Sequence, residues 1–200
     1  MSDSKTRALI TGASAGLGAD YARALAKQCD EIVLVARRLE RLHSLADELK
    51  AFEVEVHCYA EDLGTTTGVA QIMEVIRQKG PFTYLVNNAG YSTLGPFVGQ
   101  DPASQEGMVR LHIDAIMQLS MAALGGMRSI GKGYIINVSS LTALIPFASV
   151  AVYCGTKAFI NGFSQALAQE VASDVLSHGS IDVVSQVLVQ VRRDGDGGAC

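Results

Sequence analysis

Tyr153 and Lys157 stand four residues apart in Tyr153-Cys154-Gly155-Thr156-Lys157, a spacing that sets a phenol and an ammonium on one face of a helix. A phenol can exchange a proton, and a neighbouring positive charge favours its ionised form. The spacing alone is cheap, because many surface helices carry it without chemistry. Its value rises with Ser140, thirteen positions before Tyr153 and just beyond the β-branched run Tyr134 to Val138. A second cluster, Thr11-Gly12-Ala13-Ser14-Ala15-Gly16-Leu17-Gly18, follows a short apolar run and opens a helical pattern. A glycine-rich turn in that context lets the backbone approach a pyrophosphate, and the helix N-terminus supplies unpaired N–H groups. The spacing GxxxGxG is a variant of the dinucleotide fingerprint, and a tight strand-to-helix corner with no ligand yields the same string. Arg37 and Arg38 lie about 25 positions beyond Gly12, at the end of the second apolar run. There an acid would hold the ribose hydroxyls of NAD, whereas guanidinium groups can hold a 2′-phosphate. The bland alternative is a solvated pair opening a helix. Within a dinucleotide fold the arginines favour NADP(H) over NAD(H).

The elements that must position these residues follow from periodicity. Strands are expected at Ala8 to Thr11, Glu31 to Ala36, Glu53 to Tyr59, Tyr84 to Asn87, Tyr134 to Val138 and a late Ile181 to Val191. Helices are expected near Leu17 to Gln28, Leu39 to Ala51, Thr65 to Lys79, Ser104 to Met127 and Gly155 to Ser173. This alternation predicts an α/β fold, a doubly wound parallel sheet of Rossmann type between two helical layers. Asn87-Asn88-Ala89-Gly90 closes the fourth strand. The chain of 200 residues, 48% hydrophobic and 18% charged, reads as a single domain over residues 1–200, with an atypical carboxyl-terminal segment at 175–200.

Composition excludes several classes. A formal net charge of −4 builds no positive field for nucleic acid or an anionic membrane surface. The polar MSDSKTR start has no signal-peptide core, and no apolar run approaches the ~18 residues of a membrane span, so a cytoplasmic protein is expected. Cys29, Cys58, Cys154 and Cys200 lack CxxC or zinc spacing and read as ordinary thiols, with no metal site expected.

Taken jointly, TGxxxGxG at Thr11 to Gly18, Asp62-Leu63 after the third strand, Asn87-Asn88-Ala89-Gly90, and Ser140, Tyr153 and Lys157 in this order resemble the short-chain dehydrogenases/reductases, from about Arg7 to Ser173. The resemblance implies that Gly12, Ser14, Gly16, Leu17 and Gly18 wrap the cofactor pyrophosphate. It implies that Asp62, with Leu63 beside it, serves the adenine, and that Asn88, Ala89 and Gly90 line the inner ribose. Tyr153 would exchange a proton with the substrate oxygen, its pKa lowered by Lys157 and by an oxidised nicotinamide, and Ser140 would orient that oxygen. Lys157 would also hold the nicotinamide ribose. The activity implied is an NADP(H)-dependent oxidoreductase acting on a carbonyl/alcohol pair, and the partners implied are a small molecule and other copies of the chain, as a homodimer or homotetramer. Ala158, Phe159, Gly162, Ala166 and Ala168 suit a helix-pairing interface and suit packing on the parent sheet equally.

Two departures bear on these expectations. The family carries an asparagine where this chain has His112; that asparagine distorts its helix and its main-chain carbonyl helps hold a water linking the lysine to solvent. His112 is read either as a new catalytic acid or as a satisfied helix histidine. Beyond the helix ending near Ser173, the Pro-Gly turn, substrate-covering helix and last strand of the family are not recognisable, so a truncated or altered end after Asp174 is expected. That departure keeps open a second function, a non-catalytic dinucleotide-binding or interaction protein. Between Ser140 and Tyr153, Leu141, Leu144, Ile145, Pro146, Phe147 and Val150 could wall a pocket for a lipophilic ketone or simply pack.

Overall fold

The computed structural model describes residues 5–172 and the backbone of 173–178 and 180–186. Six strands, β1 (Arg7–Thr11), β2 (Glu31–Ala36), β3 (Glu55–Ala60), β4 (Tyr84–Asn87), β5 (Lys132–Val138) and β6 (Ser180–Gln186), form one sheet in the order β3-β2-β1-β4-β5-β6. Every pairing is parallel, with Leu9 opposite Val33 and Leu85, and Ile135 opposite Val183. The chain winds outward from β1 to β3 and then returns to build β4 to β6, so the winding reverses between β1 and β4. Loops part at such a point and leave a crevice at the carboxyl ends of the strands.

Six helices, α1 (Gly16–Leu25), α2 (Leu39–Leu49), α3 (Thr66–Lys79), α4 (Pro102–Val109), α5 (Ala115–Ile130) and α6 (Ala151–His178), cover both faces. Leu9, Val33, Val35, Leu85 and Ile135 meet α3 and α5 on one face; Ala8, Ile10, Ile32, Leu34 and Val86 meet α1 and α2 on the other. All six residues of β2 are buried, as a strand covered on both faces requires. Burying an apolar side chain of this size contributes roughly 1.5–3 kcal/mol, so the strand alternation rather than any single contact holds the layers together.

Caps explain several boundaries. The Thr65 side chain accepts from the Gly68 amide at 3.1 Å to start α3, and Asp101 accepts from Ser104 at 3.0 Å to start α4 with Pro102 in its first turn. The helix expected at Ser104 to Met127 starts earlier and is not uniform: residues Arg110–Asp114 form a π turn between α4 and α5. Apolar periodicity is blind to one inserted residue when the same face stays buried. The late strand expected at Ile181 to Val191 begins at Ser180; residues 187–191 of it, Cys200 and most of the 175–200 segment's tail lie outside the described residues. No helix among the described residues is long and apolar enough to cross a membrane.

Candidate active site

At the crevice, the glycine turn and the loop after β4 are knitted together. The Asn88 amide donates to the carbonyls of Thr11 (3.0 Å) and Gly12 (3.3 Å), and the Thr11 hydroxyl accepts from the backbone N–H groups of Asn88 and Ala89, both at 3.0 Å. The Asn88 side chain is therefore committed to the turn, and what Asn88 to Gly90 offer a ligand is the loop it positions. A Cβ on Gly18 would stand 2.3 Å from the Gly12 carbonyl oxygen, so only glycine lets α1 close on the turn. At Gly16, whose φ is +54°, a Cβ would meet nothing within 4 Å. The turn is open above Gly16, and α1 starts behind Ala15 with no side-chain cap. Uncapped N–H groups beneath an open glycine turn fit a pyrophosphate.

Arg37 and Arg38 are exposed at the end of β2, and Arg38 donates from Nη2 to Ser14 Oγ at 3.2 Å, which brings the guanidinium to the rim of the turn. Asp62 is exposed, its Oδ1 accepting from the Gly64 amide at 2.9 Å in the turn that precedes α3. The Leu63 side chain is buried in the core cluster that holds Val33 and Val35.

Ser140 follows β5, and Tyr153 and Lys157 lie in the first turns of α6. Ser140 Oγ accepts from the Thr142 amide at 3.2 Å, and its hydroxyl acts on the Tyr153 phenol to lower its pKa. Lys157 is buried, donates to the Val138 carbonyl at 2.9 Å, and sits 5.5 Å from the centre of the Tyr153 ring. Burial pulls the Lys157 ammonium down to about 8. Tyr153 corrects the expectation of a lowered phenol: within the chain's own field burial raises its pKa, and the Ser140 hydrogen bond only partly offsets that.

His112 lies in the π turn, fully buried, with Nδ1 2.9 Å from Thr156 Oγ1 and Nε2 accepting from the Tyr91 amide at 3.2 Å. Behind the site, Asn87 donates to Asn137 at 2.8 Å and to Ser120 at 3.3 Å, and Asn137 donates to Ser164 at 2.9 Å. This buried belt ties the ends of β4 and β5 to α5 and α6. The sequence reading missed Ser120, Ser164, Thr156 and Tyr91, single polar residues on apolar helices or loops that only the fold brings together.

An apolar rim flanks Ser140 and Tyr153. Leu141, Leu144, Ile145 and Phe147 are exposed, whereas Val150 packs inside. The loop after β4 adds exposed Leu94, Phe97 and Val98, and the Gly95 amide donates to the Ser149 carbonyl at 2.9 Å, joining the two loops. Far from the site, at the opposite strand ends, Glu31, Glu55 and His57 cluster, with Arg7 at 2.9 Å and Lys79 at 3.2 Å from Glu31. The ammonium and guanidinium already neutralise that carboxylate.

A parallel sheet reversing its winding between β1 and β4, with a glycine turn and a Ser-Tyr-Lys set at that crevice, defines a doubly wound dinucleotide-binding domain. The pattern of the short chain dehydrogenase family matches residues 6–185, and the chain belongs to that family. A very-long-chain 3-oxoacyl-CoA reductase of Ajellomyces capsulatus is 32% identical over 168 residues, covering 82% of this chain and 50% of that protein. The crystal structure of a bulky-bulky ketone specific alcohol dehydrogenase from Comamonas testosteroni superposes with a TM-score of 0.84 at 33% identity, covering 91% of this chain and 71% of the other. A short-chain dehydrogenase from Sphingobium yanoikuyae in complex with NADPH gives 0.83 at 32% identity, covering 90% and 69%. The chain spans about half the length of the curated relatives it matches.

Proposed function

We propose that the chain is an NADP(H)-dependent oxidoreductase acting on the carbonyl/alcohol pair of a lipophilic substrate, working chiefly as a reductase in the cytoplasm. The observation that carries this reading is the convergence of Ser140, Tyr153 and Lys157 beside the glycine turn. Arg38 at Ser14 supports the 2′-phosphate, and the NADPH-bound relative supports the same cofactor. The exposed rim of Leu94, Phe97, Leu144, Ile145 and Phe147 supports an apolar substrate, in keeping with the ketone-specific relative. The non-catalytic alternative has no observation in its favour.

When bound, NADP(H) supplies or accepts the hydride. Gly12, Ser14, Gly16, Leu17 and Gly18 hold the pyrophosphate by backbone approach, and Arg37 and Arg38 hold the 2′-phosphate. Asp62 meets the adenine, with Leu63 contributing through its backbone, and Asn88, Ala89 and Gly90 form the wall beside the ribose. Tyr153 exchanges a proton with the substrate oxygen. In the reducing direction its raised pKa keeps the phenol protonated and ready to donate. Ser140 donates to the same oxygen where charge develops, and Lys157 serves the ribose hydroxyls and the phenol together.

A homodimer accompanies this reading. On α5, Met121 is 70% exposed, and on α6, Ala158, Gly162 and Ala166 are exposed while Phe159 stacks on Phe163 at 5.7 Å. Ala168 instead packs against the core.

An absorbance assay with NADPH or NADH and a panel of ketones tests the activity. Turnover should favour NADPH, and Tyr153→Phe should lower it by about 10²- to 10⁴-fold with NADPH affinity little changed. Unaltered turnover in that variant overturns the mechanism.

A further inference from the structure

His112 joins two segments of the site that the sequence keeps 65 residues apart, Tyr91 and Thr156. Its partners determine its protons. Thr156 Oγ1 donates its single hydrogen to the Tyr153 carbonyl at 2.9 Å, so towards His112 it can only accept, and Nδ1 must carry a hydrogen. At the other end the Tyr91 amide can only donate, so Nε2 must present a lone pair. Both ends select the same neutral tautomer, and a second proton would set Nε2–H against the Tyr91 N–H. Burial, aided by the charge of Lys157, pulls the imidazole pKa down to about 3.

The surroundings are built around the ring. A Cβ on Gly90 would stand 2.8 Å from Nε2, so the loop after β4 reaches the imidazole only because residue 90 has no side chain. The Tyr153 ring meets the imidazole edge-on at 5.7 Å and 69°, and the Tyr91 ring lies 6.3 Å away at 57°. Tyr91 is in turn held to the start of α4 by its hydroxyl, which donates to the Ser104 carbonyl at 2.7 Å. The π turn Arg110–Asp114 carries His112 into this position, and single π turns recur at functional sites.

We propose that His112 is a positioning residue, a neutral two-ended clasp that sets the loop Asn88 to Tyr91 against the second turn of α6 and so couples cofactor seating to the placement of Tyr153. It moves no proton itself, because neither nitrogen is free to do so. The clasp is a property of the chain alone; its consequence for turnover rests on the function proposed above.

Two substitutions separate the arms, since a glutamine amide reaches as far as Nε2 and an asparagine amide only as far as Nδ1. In His112→Gln the Tyr91 arm survives: exchange protection of the Tyr91 amide and the Kd for NADPH should stay within about twofold, while kcat falls about tenfold, the scale of one hydrogen bond. In His112→Asn the Thr156 arm survives: the Tyr91 amide should lose protection and the Kd for NADPH rise about fivefold, with the smaller loss in kcat. Thr156→Val should reproduce the His112→Gln pattern. The titratable groups facing the ring are Tyr91 from the loop and Tyr153 and Lys157 from α6, so the kcat profile should show no limb between pH 5 and 7 that His112→Asn removes. Such a limb, equal losses in both parameters that follow the melting temperatures, or full protection of the Tyr91 amide in His112→Asn would each overturn the clasp. A wild-type protein that binds no NADPH would overturn the proposed function instead, and the Tyr91 exchange would still decide the clasp.

Discussion

Lys157 carries an energetic conflict within one side chain. The residue is 5% exposed, and burial brings its pKa to about 8 from the ordinary 10.5. Between those values the unfolded chain binds a proton that the folded chain has released, so the stability contribution rises with pH through that window. Below pH 8 the folded protein carries the full desolvation cost, on the order of 3 kcal/mol. Lys157→Met should therefore raise the unfolding free energy read from urea titration at pH 7 by about 1–2 kcal/mol, less than the full cost because the hydrogen bond to Val138 is lost. The gain should vanish by pH 10.5, while turnover is abolished at every pH. A variant less stable than wild type at pH 7 would show that the lysine is not desolvated.

At the scale of elements, the junction of β1, α1 and the loop after β4 separates packing from ligand space. Gly18→Ala forces a Cβ to 2.3 Å from the Gly12 carbonyl and 2.6 Å from Asn88 Nδ2, neither of which can retreat without opening the turn. Thermal unfolding should show a loss of about 1–3 kcal/mol, with NADPH affinity falling alongside. Gly16→Ala adds a methyl group to open space and costs only the left-handed backbone strain, about 1–2 kcal/mol. There the loss in NADPH affinity should exceed the loss in stability, as titration of nicotinamide fluorescence would read. Equal affinity in Gly16→Ala and wild type would remove the pyrophosphate from this turn. The glycines and the strand that precedes them were legible in sequence because a strand, a turn and a helix start are neighbours along the chain. The π turn at Arg110–Asp114 was not, since Leu111, Ala115, Ile116 and Leu119 keep one buried face across it.

For the whole molecule, the outer faces of α5 and α6 carry the proposed dimer. Met121→Glu places a charge at the centre of the proposed helix-pairing face without touching the core, and light scattering should show the mass halved relative to wild type. A wild-type monomer would sink the dimer. Residues 8–11, 31–36 and 84–87 announced their strands through β-branched runs, and the alternation with amphipathic helices determined a parallel sheet covered on both faces. The sequence alone also determined the glycine turn, the arginine pair and the Tyr153–Lys157 face, because each is a local pattern. Tertiary structure alone decided that Arg38 reaches Ser14, that Asn88 turns to the glycine carbonyls, that Leu63 points into the core and that His112 spans from Tyr91 to Thr156. These contacts join segments tens of residues apart, and their distances follow from strand order, loop direction and burial, none of which a local pattern of residue types contains.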